Sequence, residues 1–217
     1  MNVAYIRGYQ NFYGRDFLVT PDVLIPRPET EQIIDTMLDL AGKSYLPGVK
    51  PNPRVLPEKP IILDVGTGSG CIAITLALEL PEAKIFASDI SEAALEIAKK
   101  NASKFDASMS FIISHLLEKV NFNPDVVVAN LPYVDESWDW LDKKTLSEEP
   151  AIALYAEDHG LALIKKLIDQ ASNRQIKYLI LEADPCQHDT IINYSKAKKY
   201  TLLKTAGYIL SFEYQAI

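Results

Sequence analysis

Apolar positions fall in two rhythms along this chain. Over 28–42 they recur at helical spacing. Pro28 suits a first helical position, Ile33, Ile34, Met37, Leu38 and Ala41 fall on one face, and Gly42 can end the helix. Ahead of it, 11–19 reads as two short strand-like pieces around Gly14, a hairpin. A second rhythm begins at 61. Short apolar runs at 61–65, 84–88, 109–114, 125–129 and 178–182 predict strands, and 71–80, 92–105, 160–171 and 190–199 predict helices, with Ser91 as the cap of the second of these. Strands alternating with helices predict parallel pairing with helices on both faces. Continuous runs such as Val126-Val127-Val128 suit a sheet buried on both sides. The last two strands, near 201–204 and 208–214, are joined by Ala206-Gly207. That link is too short for a helical crossover, so they should pair antiparallel. The expected architecture is α/β and Rossmann-like, a mostly parallel seven-stranded sheet with a C-terminal antiparallel hairpin.

One biased stretch interrupts the pattern. Residues 42–60 hold Pro47, Pro51, Pro53, Pro57 and Pro60, which remove backbone donors and forbid a continuous helix, so a loop or extended connector is expected. The chain divides at 25/26, into an N-terminal hairpin and linker over 1–25 and a main domain over 26–217. Its 217 residues suffice for one substantial core, and 48% hydrophobic and 24% charged residues are the proportions of a globular protein. The formal net charge of −7 argues against nucleic acid as the main partner, because such binding relies on Lys and Arg neutralising phosphates. Cys71 and Cys186 make no disulfide framework, and His115, His159 and His188 show no metal-ligand spacing, so no metal is expected. The first residues, MNVAYIRGYQ, hold no apolar stretch of signal-peptide length, and no run is long enough to span a membrane. The plain expectation is a cytoplasmic protein.

Two strand ends carry the chemistry of a nucleoside site. Gly66-Thr67-Gly68-Ser69-Gly70 follows the 61–65 strand, where glycines let the backbone turn tightly and approach a ligand closely. A dinucleotide fingerprint would need glycine at 71, and that position is Cys71. Asp89 ends the next strand, where a carboxylate can accept both hydrogen bonds of a ribose diol. Alone, the glycines could be a tight turn and Asp89 a capping residue. In register on successive strand ends, they point to a ligand with a ribose and no pyrophosphate, which favours S-adenosylmethionine over a nicotinamide cofactor.

After the 125–129 strand comes Asn130-Leu131-Pro132-Tyr133. A planar NH2 group is a poor nucleophile because its lone pair is delocalised. The Asn130 side-chain oxygen and a backbone carbonyl can accept its two N–H bonds, and the Tyr133 ring can stack on the flat group. Such a site works mainly by placing the nitrogen in line with a methyl donor. A turn with a core tyrosine is the plainer reading of these four residues alone.

Taken together, Gly66–Gly70, Asp89 and Asn130–Tyr133 resemble the HemK/PrmC family of protein-glutamine N5-methyltransferases. Further segments resemble it too: Phe12-Tyr13-Gly14-Arg15-Asp16-Phe17, Ile25-Pro26-Arg27-Pro28-Glu29-Thr30-Glu31, and Glu149-Pro150-Ala151-Ile152-Ala153-Leu154 with Asp158-His159-Gly160. The resemblance implies a class I S-adenosylmethionine-dependent methyltransferase fold. It implies S-adenosylmethionine held by Gly66, Thr67, Gly68, Ser69, Gly70, Asp89, Leu116 and Asn130. The acceptor, handled by Asn130, Leu131, Pro132 and Tyr133 with Pro26 and Arg27, would be the glutamine of the Gly-Gly-Gln loop in class-1 peptide chain release factors, with a ribosomal protein ranked second. Three features depart from the family pattern. Leu131 replaces the tetrad's usual first proline, His115 and Leu116 stand where an acidic and an aromatic residue are usual, and the helical domain that ordinarily precedes the hairpin does not appear in these 217 residues. The same tetrad occurs in adenine-N6 nucleic-acid methyltransferases, the alternative enzyme reading. A non-catalytic S-adenosylmethionine-binding protein is the alternative outside enzymes.

Overall fold

The computed structural model describes residues 2–43, 52–142 and 146–216. Of the proline-rich connector, Pro47 and Pro51 lie outside the described residues. The chain opens with α1 (Val3–Arg7), a short helix that the apolar pattern does not announce. It is capped by the Asn2 side chain and closed by Gly8 in the left-handed conformation. Strands β1 (Tyr9–Phe12) and β2 (Arg15–Leu18) form the expected hairpin. Tyr13 and Gly14 both have positive φ at its tip, the backbone of a turn that matches strand twist. Pro28–Thr30 then makes a single 3-10 turn leading into α2 (Glu31–Leu40).

The main sheet comprises β3 (Ile61–Val65), β4 (Lys84–Asp89), β5 (Ser110–Ile113), β6 (Val126–Ala129), β7 (Tyr178–Glu182), β8 (Tyr200–Ala206) and β9 (Ile209–Tyr214). Its order is β5-β4-β3-β6-β7-β9-β8. The first five strands pair in parallel and β9 runs antiparallel to both β7 and β8. The helices α3 (Cys71–Glu79), α4 (Glu92–Lys104), α5 (Ala162–Asn173) and α6 (His188–Ala197) cover the faces. Two helix starts differ from the sequence expectation. Gly160 and Leu161 stay in the loop before α5, and α6 begins at His188 because Asp184 caps a preceding 3-10 turn over Pro185–Gln187. The Ser91 hydroxyl does cap α4, accepting from Ala94 N at 3.2 Å.

Side chains alternate across the sheet, which is why its strands read as unbroken apolar runs. Ile62, Val126, Val128 and Ile180 face a core built with α2 and α3, whereas Leu63, Val127, Leu179 and Leu181 face one built with α5 and α6. Each fully buried aliphatic side chain contributes roughly 1.5–3 kcal/mol. A charge at Val127 would therefore lose that burial and leave an ion without a partner. The N-terminal hairpin belongs to this body. Phe12 and Phe17 are wholly buried in the α2–α3 core, and Asn101 of α4 bonds both backbone groups of Leu18.

Parallel strands β3 and β6 lie side by side, with β4 beyond β3 and β7 beyond β6. The connections leave in opposite directions here, so the loops after β3 and β6 part and leave a crevice at the carboxyl ends of the strands.

Candidate active site

A cavity of about 310 Å³ fills that crevice. Gly66 to Ser69 line one side, together with Asp89, Ser114, His115 and Leu116, while Asn130, Leu131 and Pro132 come from the β6 end. Pro26, Arg27 and Thr30 reach it from the segment before α2. Sequence-distant residues singled out above thus converge on one space.

The glycine loop is shaped by its backbone. Gly66, Gly68 and Gly70 all have positive φ, between 54° and 83°, where a side chain would be strained. A Cβ on Gly66 would meet Leu131 Cδ2 at 3.0 Å, and one on Gly70 would meet Ile74 and Ala98 at 2.9 and 3.1 Å. Gly70 therefore serves close helix packing and lies behind the cavity. A Cβ on Gly68 would meet nothing within 4 Å and would project into open space beside the loop. The Asp89 carboxylate fixes this loop, accepting from Gly68 N at 2.9 Å through Oδ2 and from Ser91 N at 2.9 Å through Oδ1. Burial raises the Asp89 pKa, while the backbone N–H groups of Ser91, Gly68 and Ile90 draw it down. Each oxygen keeps a lone pair for a further donor, so the loop-fixing role leaves room for a diol to bond the same residue.

Beneath the loop lies Asp64, 1% exposed. Thr67 Oγ1 donates to its Oδ2 at 2.6 Å, and Oδ1 has no hydrogen-bond partner among the described residues. Burial lifts its pKa to about 7, with Asp89 adding to the rise. On the wall after β5, Leu116 is buried and borders the cavity with a left-handed φ of 50°. Beside it, His115 Nδ1 is 3.0 Å from Glu118 Oε1 and 3.2 Å from Lys166 Nζ.

The tetrad is held at both ends. Asn130 Nδ2 donates to Thr30 Oγ1 at 3.0 Å, which commits the amide's nitrogen to the protein and leaves Oδ1 as its free acceptor. Among the described residues no donor is bonded to the Leu131 carbonyl. Leu131 itself is buried against Gly66. At the far end, Gln187 Nε2 donates to the Tyr133 and His159 carbonyls at 2.8 and 2.9 Å. Tyr133 does not border the cavity: its hydroxyl donates to Glu182 Oε1 at 3.1 Å, and burial beside that acid pushes the phenol pKa up. The ring-stacking position expected from the sequence is therefore not the one it occupies here.

Pro26 and Arg27 both reach the cavity, and Arg27 is the better anchored. Its guanidinium pairs with the buried Glu149 carboxylate, whose other oxygen accepts from Ile25 N at 3.0 Å. That pair ties the 25–30 segment to the 149–154 segment. Sequence reasoning missed Thr30, Glu182 and Gln187 as parts of the site. The available signals were a carboxylate ending the apolar β7 run, a polar residue within a flagged motif, and an amide just beyond a strand end.

Residues 37–144 match the family described as Methyltransferase small domain. The fold and the site define a class I S-adenosylmethionine-dependent methyltransferase domain. In sequence, the chain is 45% identical over 169 residues to the release factor glutamine methyltransferase of Koribacter versatilis, covering 76% of this chain and 56% of that protein. It is 40% identical over 185 residues to the enzyme of that name from Neisseria gonorrhoeae, covering 83% and 62%. Over most of its length the chain is thus similar in sequence to proteins named release factor glutamine methyltransferase. It spans between half and two thirds of the length of these relatives. In fold it is similar to a T. thermophilus 16S rRNA N2 methyltransferase solved with AdoMet and guanosine, at a TM-score of 0.65 and 16% identity over 95% of this chain and 50% of that one. No helix among the described residues is long and apolar enough to cross a membrane.

Proposed function

We propose that this chain transfers a methyl group from S-adenosylmethionine to the side-chain amide nitrogen of the glutamine in the Gly-Gly-Gln loop of class-1 peptide chain release factors, and works in the cytoplasm where that substrate is found. The observation that carries the reading is the commitment of Asn130 Nδ2 to Thr30, which presents Oδ1 to the same cavity that the glycine loop and Asp89 border. A primary amide has two N–H groups in one plane, and Asn130 Oδ1 with the Leu131 carbonyl supplies two acceptors for them. Accepting both bonds turns the nitrogen's face towards the methyl donor and fixes its distance, an orientation effect worth several kcal/mol of barrier.

The cofactor fits the residues present. Gly66, Thr67, Gly68 and Ser69 offer backbone at close range, and Asp89 offers the ribose diol its remaining lone pairs. Leu116 and the neighbouring wall give the base an apolar seat. When bound, S-adenosylmethionine supplies a sulfonium-activated methyl group. Pro26 and Arg27 share a segment with Thr30 and are assigned to the acceptor side, with Tyr133 closing the tetrad from behind. We divide the chain into the 1–25 hairpin segment and the 26–217 catalytic domain.

The decisive experiment is methyl transfer from radiolabelled S-adenosylmethionine to a purified release factor, to its Gln→Ala Gly-Gly-Gln mutant, and to RNA and DNA in parallel. Label is expected in the wild-type factor alone. Label in adenine of either nucleic acid would transfer the assignment to an adenine-N6 enzyme, and no label anywhere would favour a binding protein.

A further inference from the structure

One buried acid grips the segment before α2 at two points. Glu149, its side chain 0% exposed, accepts from Ile25 N at 3.0 Å through Oε2 and from Arg27 Nη2 through Oε1. The bond to Ile25 alone would fasten the chain. The other oxygen is committed to a side chain of a residue that borders the cavity. Arg27 stands between Pro26 and Pro28, with φ −101° and ψ 145°, the extended backbone that a following proline favours. Its backbone and its side chain are thus both held. The side chain is still 31% exposed, and Glu149 is its only hydrogen-bond or ion-pair partner among the described residues. A guanidinium carries several N–H donors in a rigid planar fork, so the pair with Glu149 leaves donors uncommitted.

We infer that Glu149 is a positioning residue, which holds the Arg27 guanidinium so that its remaining N–H groups bond main-chain carbonyls beside the target glutamine. This inference rests on the proposed protein-glutamine substrate and adds the group that reads the main chain of that substrate. Glycines offer no side chain, so next to its glutamine a Gly-Gly-Gln loop presents only carbonyls and N–H groups. Arg27 shares the segment before α2 with Thr30, which accepts the bond that orients Asn130. One short segment therefore serves both ends of the same glutamine, its amide through Asn130 and its backbone through Arg27. Arginine on a free stem would lose rotamer freedom on binding, and Glu149 removes that cost beforehand. The bond lies away from the reacting nitrogen and holds equally well in the ground and transition states. It should therefore appear in KM and spare kcat.

The test is steady-state methylation of the isolated Gly-Gly-Gln domain of a release factor by the wild type, Arg27→Lys, Glu149→Gln and the double variant. Calorimetry with S-adenosylmethionine runs alongside. Lysine keeps the charge beside Glu149 but has no fork with which to hold a carboxylate and a carbonyl together. In Arg27→Lys, KM should rise at least tenfold, with kcat and the cofactor Kd within threefold of the wild type. A merely structural tie would move all three together. Glu149→Gln should raise KM by a similar factor, and the double variant should be no worse than Arg27→Lys, because one residue acts through the other. If Glu149→Gln does not fold, Glu149→Asp, which keeps the charge and withdraws it by a methylene, should show the same split. A KM rise of less than tenfold in Arg27→Lys, or losses that add in the double variant, would overturn the inference. A fall in cofactor affinity that matches the KM rise would assign the guanidinium to the methionine carboxylate and overturn it too. A wild type that methylates RNA or DNA, or nothing at all, would remove the proposed function itself and this inference with it.

Discussion

Asn130 and Thr30 stand 100 residues apart in sequence and share a hydrogen bond of 3.0 Å, Nδ2 to Oγ1. The bond joins the end of β6 to the segment before α2. Through it the Pro26–Glu31 segment is joined to the tetrad. It also makes Asn130 a side chain with one defined face towards the cavity.

Replacing Asn130 by Ala should therefore damage turnover far more than cofactor affinity. Loss of one well-placed hydrogen-bonding group aimed at a reacting centre costs about 10²–10³ in rate. We expect kcat/KM for the protein substrate to fall by about 10²-fold and the S-adenosylmethionine Kd to change less than about threefold, a split that separates acceptor from cofactor roles. Parallel stopped-time methylation and calorimetry measure the two numbers. Equal losses in both would make Asn130 a cofactor ligand first.

Cofactor affinity should instead answer to Gly68 and Asp89. Gly68→Val places a branched side chain at φ 54°, in the space beside the loop. Asp89→Ala leaves the amides of Gly68 and Ser91 without their acceptor and removes the diol's partner, a loss of about 1.5–3 kcal/mol for a charged hydrogen-bonding group. Titration calorimetry with S-adenosylmethionine should show weakening of tenfold or more in each. Unchanged affinity in both variants would refute the site.

Much of this was legible in the sequence, for reasons specific to each element. The strand runs were readable because a parallel sheet buried on both faces permits no polar interruption, as at Val126-Val127-Val128. That Gly66, Gly68 and Asp89 would border one space was readable because strand-end positions in such a sheet converge. What stayed hidden is non-local. The Tyr133 ring was expected against the substrate, yet the buried Glu182 captures its hydroxyl. Nothing in the order of residues announces that Thr30 meets Asn130. The α6 start was misplaced because the Asp184 cap and Gln187 belong to a turn whose purpose is to bond Tyr133 and His159. Helix α1 was missed because five residues are too few for periodicity to show.

Two buried acids predict how stability changes with pH. Burial raises Glu182 from 4.5 to about 7 and Asp64 from 3.8 to about 7. Between these limits the folded chain holds more protons than the unfolded one, so stability falls as pH rises. The contribution is complete below the unfolded values and gone above about 7. Each carboxyl adds a slope of at most about 1.4 kcal/mol per pH unit. Urea unfolding from pH 5 to 8 should show a shallower decline in Glu182→Gln and in Asp64→Asn than in the wild type. An identical slope in all three proteins would mean that the acids are ionised in the fold.

The loop before α5 predicts the most severe backbone substitution. Gly160 has φ 81°, and a Cβ there would stand 2.0 Å from the Tyr133 carbonyl oxygen and 2.6 Å from Gln187 Nε2. Both atoms belong to one contact, because Gln187 Nε2 donates to that oxygen at 2.8 Å. Neither can give way freely: Gln187 is buried, and its Oε1 accepts from Asp184 N at 3.2 Å while its Nε2 also bonds the His159 carbonyl. An alanine must adopt a left-handed backbone at about 1–2 kcal/mol and break at least one of these bonds at about 1 kcal/mol or more. Gly160→Ala should thus lose roughly 3 kcal/mol, a drop in melting temperature of about 6–12 °C for a domain of this size. Gly14→Ala is the matched comparison, since φ is 74° there and a Cβ would meet nothing within 4 Å. It should cost only the backbone strain. Calorimetric melting of the two variants under one buffer decides the matter. If Gly160→Ala melts within about 2 °C of Gly14→Ala, the Gln187 clamp on Tyr133 is not the rigid support that positions the tetrad.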